Sequence, residues 1–245
     1  MTRTLSVLPN VDAVARATAD RILAAGRNAI RRRGRFVIAL SGGSTPLAVC
    51  PILVVPPRVT MLDWSKVEFF FGDERAVPPD SAESNFMTAK LALLDYLRGV
   101  RPERVHRMPA DAPDLAAAAA AYQDELRATL GERPRFDVVW LGMGADGHTA
   151  SLFPGSEALT ERRRLVVANY APGPAAWRMT LTYPVLNAAR EALFVVTGGE
   201  KADALASVWT DGDELPAARV RARRTTWLVD AAAAAKLPAV LSRSG

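Results

Sequence analysis

The sequence predicts an α/β fold, a three-layer α/β/α sandwich on a mainly parallel, Rossmann-like sheet. Two observations predict it. Short apolar runs of strand length recur at residues 36–40, 67–71, 136–141, 193–196 and 226–229, and they read as strands buried on both faces. Stretches of helical period separate several of them, notably residues 83–97, 113–130 and 199–209. Buried strands alternating with helices require a parallel sheet covered on each side. In such sheets ligands sit beyond the carboxyl ends of the strands, so the loops there are where chemistry is expected.

Bulk properties narrow the function classes. The chain has 245 residues, 49% of them hydrophobic, and no extended linker divides it, so one domain over residues 1–245 is expected. Arginines and acids are spread through the first residues, and no apolar run approaches the ~20 residues of a membrane span. Neither a leader nor an anchor is expected, and the single cysteine, Cys50, fits a reducing, cytoplasmic setting. Two histidines without CxxC or HxxxH spacing make a structural metal site an unexpected feature. The net charge of +5 fits an anionic partner. Aromatics are not interleaved with the arginines as single-strand binders need, so the clusters Arg31, Arg32, Arg33 and Arg35 and the run Arg162, Arg163, Arg164 read as a solvated helix end or loop, and no nucleic-acid partner is expected.

Taken in order, residues 10–33 place Val11, Val14, Ala15, Ile22, Leu23 and Ile30 at helical spacing, an amphipathic opening helix. The run at 36–40 then enters Ser41-Gly42-Gly43-Ser44-Thr45-Pro46. Two glycines allow a close backbone approach, and free amides at a helix start attract an anion; the alternative is an ordinary turn capped by Ser44 or Thr45. Pro51, Pro56 and Pro57 follow, so this helix should be short or end near Cys50.

The run at 67–71 ends in Gly72-Asp73-Glu74-Arg75. These charges either face the crevice or form a plain surface turn. After the run at 136–141 comes Gly142-Met143-Gly144-Ala145-Asp146-Gly147, which matches G-x-G-x-x-G. The dinucleotide reading fails on context: Pro154 and Gly155 cut short any following helix, and residues 165–170 contain no acid. The loop offers His148 instead, a side chain that titrates near neutrality and can take and return a proton. Asp146 either orients His148 or caps a helix containing Thr149 and Ser151. The other histidine, His106, lacks such a loop and is read as scaffold.

Residues 177–183 alternate as a strand does, with Arg178, Thr180 and Thr182 on one face. That face is either wet or turned to a ligand. Gly198-Gly199-Glu200-Lys201 follows the run at 193–196 and starts a helix, where amides and a cation can meet a phosphate; a solvated helix start is the alternative. Lys201 is one of only four lysines, so a compact cation at this place is notable in an arginine-biased chain.

Together SGGSTP, FFGDERAVPPDSAESNF, LGMGADGHTASLFPGS, RMTLTYPVLNAAR and the GGEKA segment resemble the 6-phosphogluconolactonase family in order and spacing. The resemblance implies an α/β sandwich related to sugar-phosphate isomerases and deaminases. It implies action on 6-phosphoglucono-δ-lactone in the pentose phosphate pathway, with no cofactor and no metal. On matched positions His148 is the general base, with Asp146 and Arg75 beside it. Ser44, the Gly42-Gly43 amides, Arg178 and Lys201 hold the phosphate and orient the sugar. The three prolines after SGGSTP depart from the family's unbroken helix. Two rivals use the same blocks: a glucosamine-6-phosphate deaminase-like isomerase and a non-catalytic sugar-phosphate-binding protein. The deaminases resemble this chain around GxDGH but diverge where it has Ser151-Leu152-Phe153-Pro154.

Overall fold

The computed structural model describes residues 1–171, 176–210, 212 and 214–238. Six strands form the main sheet: β1 (Thr2–Leu8), β2 (Phe36–Leu40), β3 (Val67–Phe71), β5 (Val138–Leu141), β8 (Glu191–Val196) and β9 (Arg224–Asp230). Their order is β1-β9-β8-β5-β2-β3 and every pairing is parallel. Helices α1 (Val11–Arg33), α2 (Ser44–Leu53), α3 (Asn85–Ala92), α4 (Leu115–Leu130), α5 (Tyr183–Ala188) and α6 (Ala202–Thr210) complete an α/β sandwich. Strands β4 (Asp73–Arg75), β7 (Trp177–Leu181) and β6 (Val166–Tyr170) form a separate antiparallel sheet in that order.

Local chemistry sets the elements where the pattern predicted them. The Asn10 side chain accepts from the Ala13 amide at 2.9 Å to open α1, and Gly34, in the left-handed region at φ 75°, closes it. Asp12 in the first turn and Arg31, Arg32 and Arg33 in the last complement the helix dipole. All residues of β2, β3, β5 and β8 are buried, as parallel strands covered on both faces must be. Phe36, Phe69, Phe70, Phe71, Phe136 and Phe194 are fully buried in one continuous core. Each contributes about 1.5–3 kcal/mol by leaving water.

Helix α2 is short, as the prolines imply, ten residues ending at Leu53; Pro51 falls in the final turn, and buried Val49, Cys50 and Leu53 hold that turn against the core. Burial also pushes the Cys50 thiol up to about 12, so it is not a nucleophile. Residues 177–181 do form a strand, but in the small antiparallel sheet, and Thr180 and Thr182 are buried rather than wet. Edge strand β1 is an addition: it mixes Thr, Arg and Ser with Leu and Val, and only Leu5 is buried, so no apolar run marks it.

His106 belongs to the scaffold. Its ring stacks on Phe70 at 4.1 Å, and its two nitrogens meet Glu125 at 2.6 Å and Glu68 at 3.3 Å. Burial alone would lower its pKa, but the two glutamates outweigh burial and hold it above the ordinary histidine value. A group with a raised folded pKa stabilises fully below its unfolded pKa, about 6.5, and loses that contribution as pH rises through the folded pKa. The stability difference between the native protein and His106→Gln is therefore expected to be larger at about pH 6 than at about pH 9. Urea unfolding at the two pH values measures it, and a difference that grows with pH contradicts the assignment.

Candidate active site

Strands β8, β5 and β2 are neighbours in the main sheet, so the loops leaving their carboxyl ends lie side by side. Together with β4 they enclose a cleft of about 210 Å3, whose wall includes Gly42, Gly43, Arg75, Gly144, His148 and Lys201. Residues far apart in the chain thus share one cavity.

The β2 loop supplies backbone. Gly43 precedes α2 with φ 84°, a conformation that glycine adopts without strain, and Gly42, Gly43 and Thr45 at the start of that helix line the cleft. A Cβ on Gly42 would overlap the Asn85 side-chain amide, so only glycine fits there. Ser44 opens α2, but its side chain lies outside the described residues. Ser41 and Thr45 add hydroxyls to the wall.

The second loop folds into β4. Buried Glu74 accepts from the backbone amides of Arg75, Asn85 and Phe86, each at 2.8 Å, and from the Ser84 hydroxyl at 3.0 Å. Burial pushes its carboxyl up in spite of these donors. It ties β4 to the start of α3, and so fixes Arg75 and Asn85 relative to each other. The Arg75 guanidinium donates to the Glu83 carbonyl and lines the cleft. Arg178 sits opposite Arg75 in the β4–β7 register, but it is not part of the cleft wall. Burial and the charge of Arg75 both lower its pKa.

The third loop contains no helix: residues 142–152 are turns, closed by Gly147 N–H to the Gly144 carbonyl at 3.0 Å and Gly144 N–H to the His148 carbonyl at 2.9 Å. Asp146 therefore caps no helix. One of its oxygens accepts from the His148 amide at 3.1 Å and lies 2.6 Å from His148 Nδ1. Partial burial raises the Asp146 carboxyl, but the His148 amide and imidazole outweigh that and hold it below the usual carboxylate range. The imidazole lies close against Gly144, and its centroid is 4.3 Å from that of the Phe153 ring. Behind it, Thr149 donates to the Gly142 carbonyl, Ser151 donates to Asp73 at 2.7 Å, and Asn169 donates to the Ser151 carbonyl. Ala150 takes the left-handed region at φ 47°, an uncommon conformation for a residue with a Cβ, at the turn beside His148.

After β8, Gly198 turns at φ 100° and its amide donates to buried Asp230 at 3.1 Å. That anchors the single 3₁₀ turn Gly199–Lys201 and brings Lys201 to the cleft, with Glu200 3.9 Å from its ammonium.

The structure thus brings His148, Asp146, Arg75, Gly42, Gly43 and Lys201 to one end of the sheet, with Arg178 one strand beyond. Sequence reading missed Asn85, Thr197 and the pairing of Asp73 with Ser151, which need long-range contacts to be seen. The cleft holds an imidazole with a fixed partner, two cations and a run of backbone amides. That set can move a proton beside a bound anion. Among the described residues, no group of three or more His, Cys, Asp or Glu side chains is placed to hold a metal ion. No helix there is long and apolar enough to cross a membrane.

Residues 9–228 match the model of the family described as glucosamine-6-phosphate isomerases/6-phosphogluconolactonase. The chain is 41% identical to the 6-phosphogluconolactonase of Nostoc sp., over 97% of this chain and 99% of the relative. The solved structure of 6-phosphogluconolactonase from Trypanosoma cruzi superposes with a TM-score of 0.84 at 31% identity, covering 97% of this chain and 98% of the other. A monomeric glucosamine-6-phosphate deaminase shares the fold, with a TM-score of 0.77 at 20% identity over 96% of this chain and all of the other. The chain belongs to the glucosamine-6-phosphate isomerase/6-phosphogluconolactonase family.

Proposed function

We propose that this enzyme, of the 6-phosphogluconolactonase type, hydrolyses 6-phospho-D-glucono-1,5-lactone to 6-phospho-D-gluconate with His148 as general base. The observation that carries the reading is the shared cleft: an imidazole, held from outside the wall by its carboxylate partner Asp146, lines the same cavity as Lys201, Arg75, Gly42 and Gly43. Ionised Asp146 accepts a proton-bearing Nδ1, which leaves the Nε2 lone pair for water. Nε2 takes a proton from water as its oxygen bonds to the lactone carbonyl carbon. The oxyanion that forms is stabilised by the Arg75 guanidinium. Its collapse breaks the bond from that carbon to the ring oxygen, and the imidazolium returns the proton to the departing oxygen.

Lys201 and the amides of Gly42 and Gly43, with Ser44, hold the phosphate and orient the sugar, and Arg178, outside the wall and paired in register with Arg75, adds positive charge at that end of the sheet. Binding energy at the phosphate positions the distant carbonyl. Lys201→Ala is expected to lower kcat/KM by about 10–100-fold, mainly through KM, because a charge-assisted contact contributes about 1.5–3 kcal/mol. An unchanged KM removes Lys201 from the phosphate site.

The reading is tested by acid release from freshly generated lactone, measured against its spontaneous hydrolysis, in parallel with ammonia release from glucosamine 6-phosphate. Lactone hydrolysis well above the spontaneous rate, without ammonia, is the expected result. Ammonia release without lactone acceleration overturns it in favour of the isomerase chemistry, and neither activity overturns it in favour of a binding protein.

A further inference from the structure

A second, larger cleft lies at the opposite edge of the main sheet. It has a volume of about 560 Å3 and opens where β1, β8 and β9 begin, against the flank of α1. Six arginines line it: Arg21, Arg32 and Arg33 from α1, and Arg190, Arg223 and Arg224 at the strand starts. Against them stand two carboxylates, Asp137 and Glu191, both buried. The wall carries an excess of four positive charges.

The carboxylates act as fixed holders for the arginines. Glu191 takes a two-pronged pair from Arg21 at 2.8 and 2.6 Å, with Arg224 4.0 Å away. Asp137 takes Arg33 at 2.7 Å and lies 3.2 Å from Arg190. The Thr226 hydroxyl and the Val37 amide donate to the same two acids. Planar guanidinium groups held this way keep further N–H donors in set directions, which is the arrangement that grips phosphate oxygens. Crowding has a cost here: burial and the charges of Arg33 and Arg135 lower the pKa of Arg190. A bound anion relieves that repulsion, whereas an ordinary solvated helix face has no need of a concave wall.

We propose that this cleft is a second anion site, which takes a small molecule carrying two or more phosphate groups. A phosphate monoester bears about 1.5–2 negative charges near neutrality, so two of them balance the excess on the wall. The volume lies within the range of about 300–1,000 Å3 that small-molecule sites occupy. Strand β8 has Glu191 at this cleft and Val196 at the other, so about 16 Å of extended chain separates the two sites and both can be filled at once. The basic rim continues to Arg133 and Arg135, which makes a nucleic-acid strand the competing occupant. Among the described residues the wall offers no aromatic ring on which a base can stack, and that favours the small polyanion.

Calorimetric titration of the full chain with inorganic triphosphate, at about 0.15 M salt, tests this. Arg32 and Arg223 pair with neither carboxylate, so Arg32→Gln/Arg223→Gln leaves the ion pairs in place; an unshifted Tm checks that it folds. The expected result is saturable binding that weakens about tenfold or more in the double variant and persists in Lys201→Ala. The proposal is overturned if the native protein shows no saturable binding or the double variant binds equally well. Loss of binding in Lys201→Ala alone, or tighter Arg32- and Arg223-dependent binding of an RNA of about 20 nucleotides, overturns it too.

Discussion

His148→Ala is expected to lower the enzymatic rate of lactone hydrolysis by about 100- to 10,000-fold, the span that a positioned general base supplies. Among the described residues that line the cleft, Asp73 is the one carboxylate, and it is engaged with Ser151 and Asn85; Asp146, next to the cleft, is engaged with His148. The Ser151 hydroxyl donates to Asp73, and the Cys50 thiol is buried and held protonated, so neither is ready to replace the imidazole. The fold should survive the change. The His148 side chain keeps 31% of its surface in water, and the loop is closed by backbone bonds that alanine retains. Binding of 6-phosphogluconate, followed by calorimetry, is expected to change little, because the phosphate contacts lie elsewhere on the wall. A variant that still hydrolyses the lactone at near-native rate excludes His148 as the base.

Gly144→Ala is expected to cost about 100-fold in kcat, the loss that follows when a reacting group is displaced by about 1 Å. An added Cβ at residue 144 would fall within the imidazole of His148 and against the Asp146 carboxylate, closer than real carbon atoms approach. Something must move, and the ring is the freer partner because Gly144 is pinned on both sides by backbone hydrogen bonds. The Phe153 ring, centred 4.3 Å away, narrows the room into which the imidazole can turn, so its contact with Asp146 is expected to be disturbed. Steady-state kinetics with a parallel thermal melt separate the effect from unfolding. Native kcat with a native Tm means that the ring is not held against Gly144 during turnover.

These two substitutions illustrate unequal legibility. His148 stands out in the sequence because it follows a glycine-rich loop at the end of an apolar run. Gly144 is visible only as part of a G-x-G-x-x-G pattern, whose usual meaning is wrong here. Its physical role, leaving room for an imidazole four residues later, appears once the loop is folded back on itself. Asp146 was open between a helix cap and a partner for His148. The absence of a helix and the 2.6 Å approach to Nδ1 decide the geometry for the second.

Periodicity and local chemistry were sufficient for the buried strands β2, β3, β5, β8 and β9, for α1, and for the loops that line the cleft, because burial on both faces and helical spacing leave marks within a few residues. Only the tertiary structure decided that β4, β6 and β7 form a sheet of their own. It also joined Ser151 to Asp73 across 78 residues, and set six arginines around two buried acids at the far edge. A three-residue strand and a contact between distant side chains have no period to read. They exist because the packed core brings those segments within hydrogen-bonding reach, where a buried polar group must find a partner.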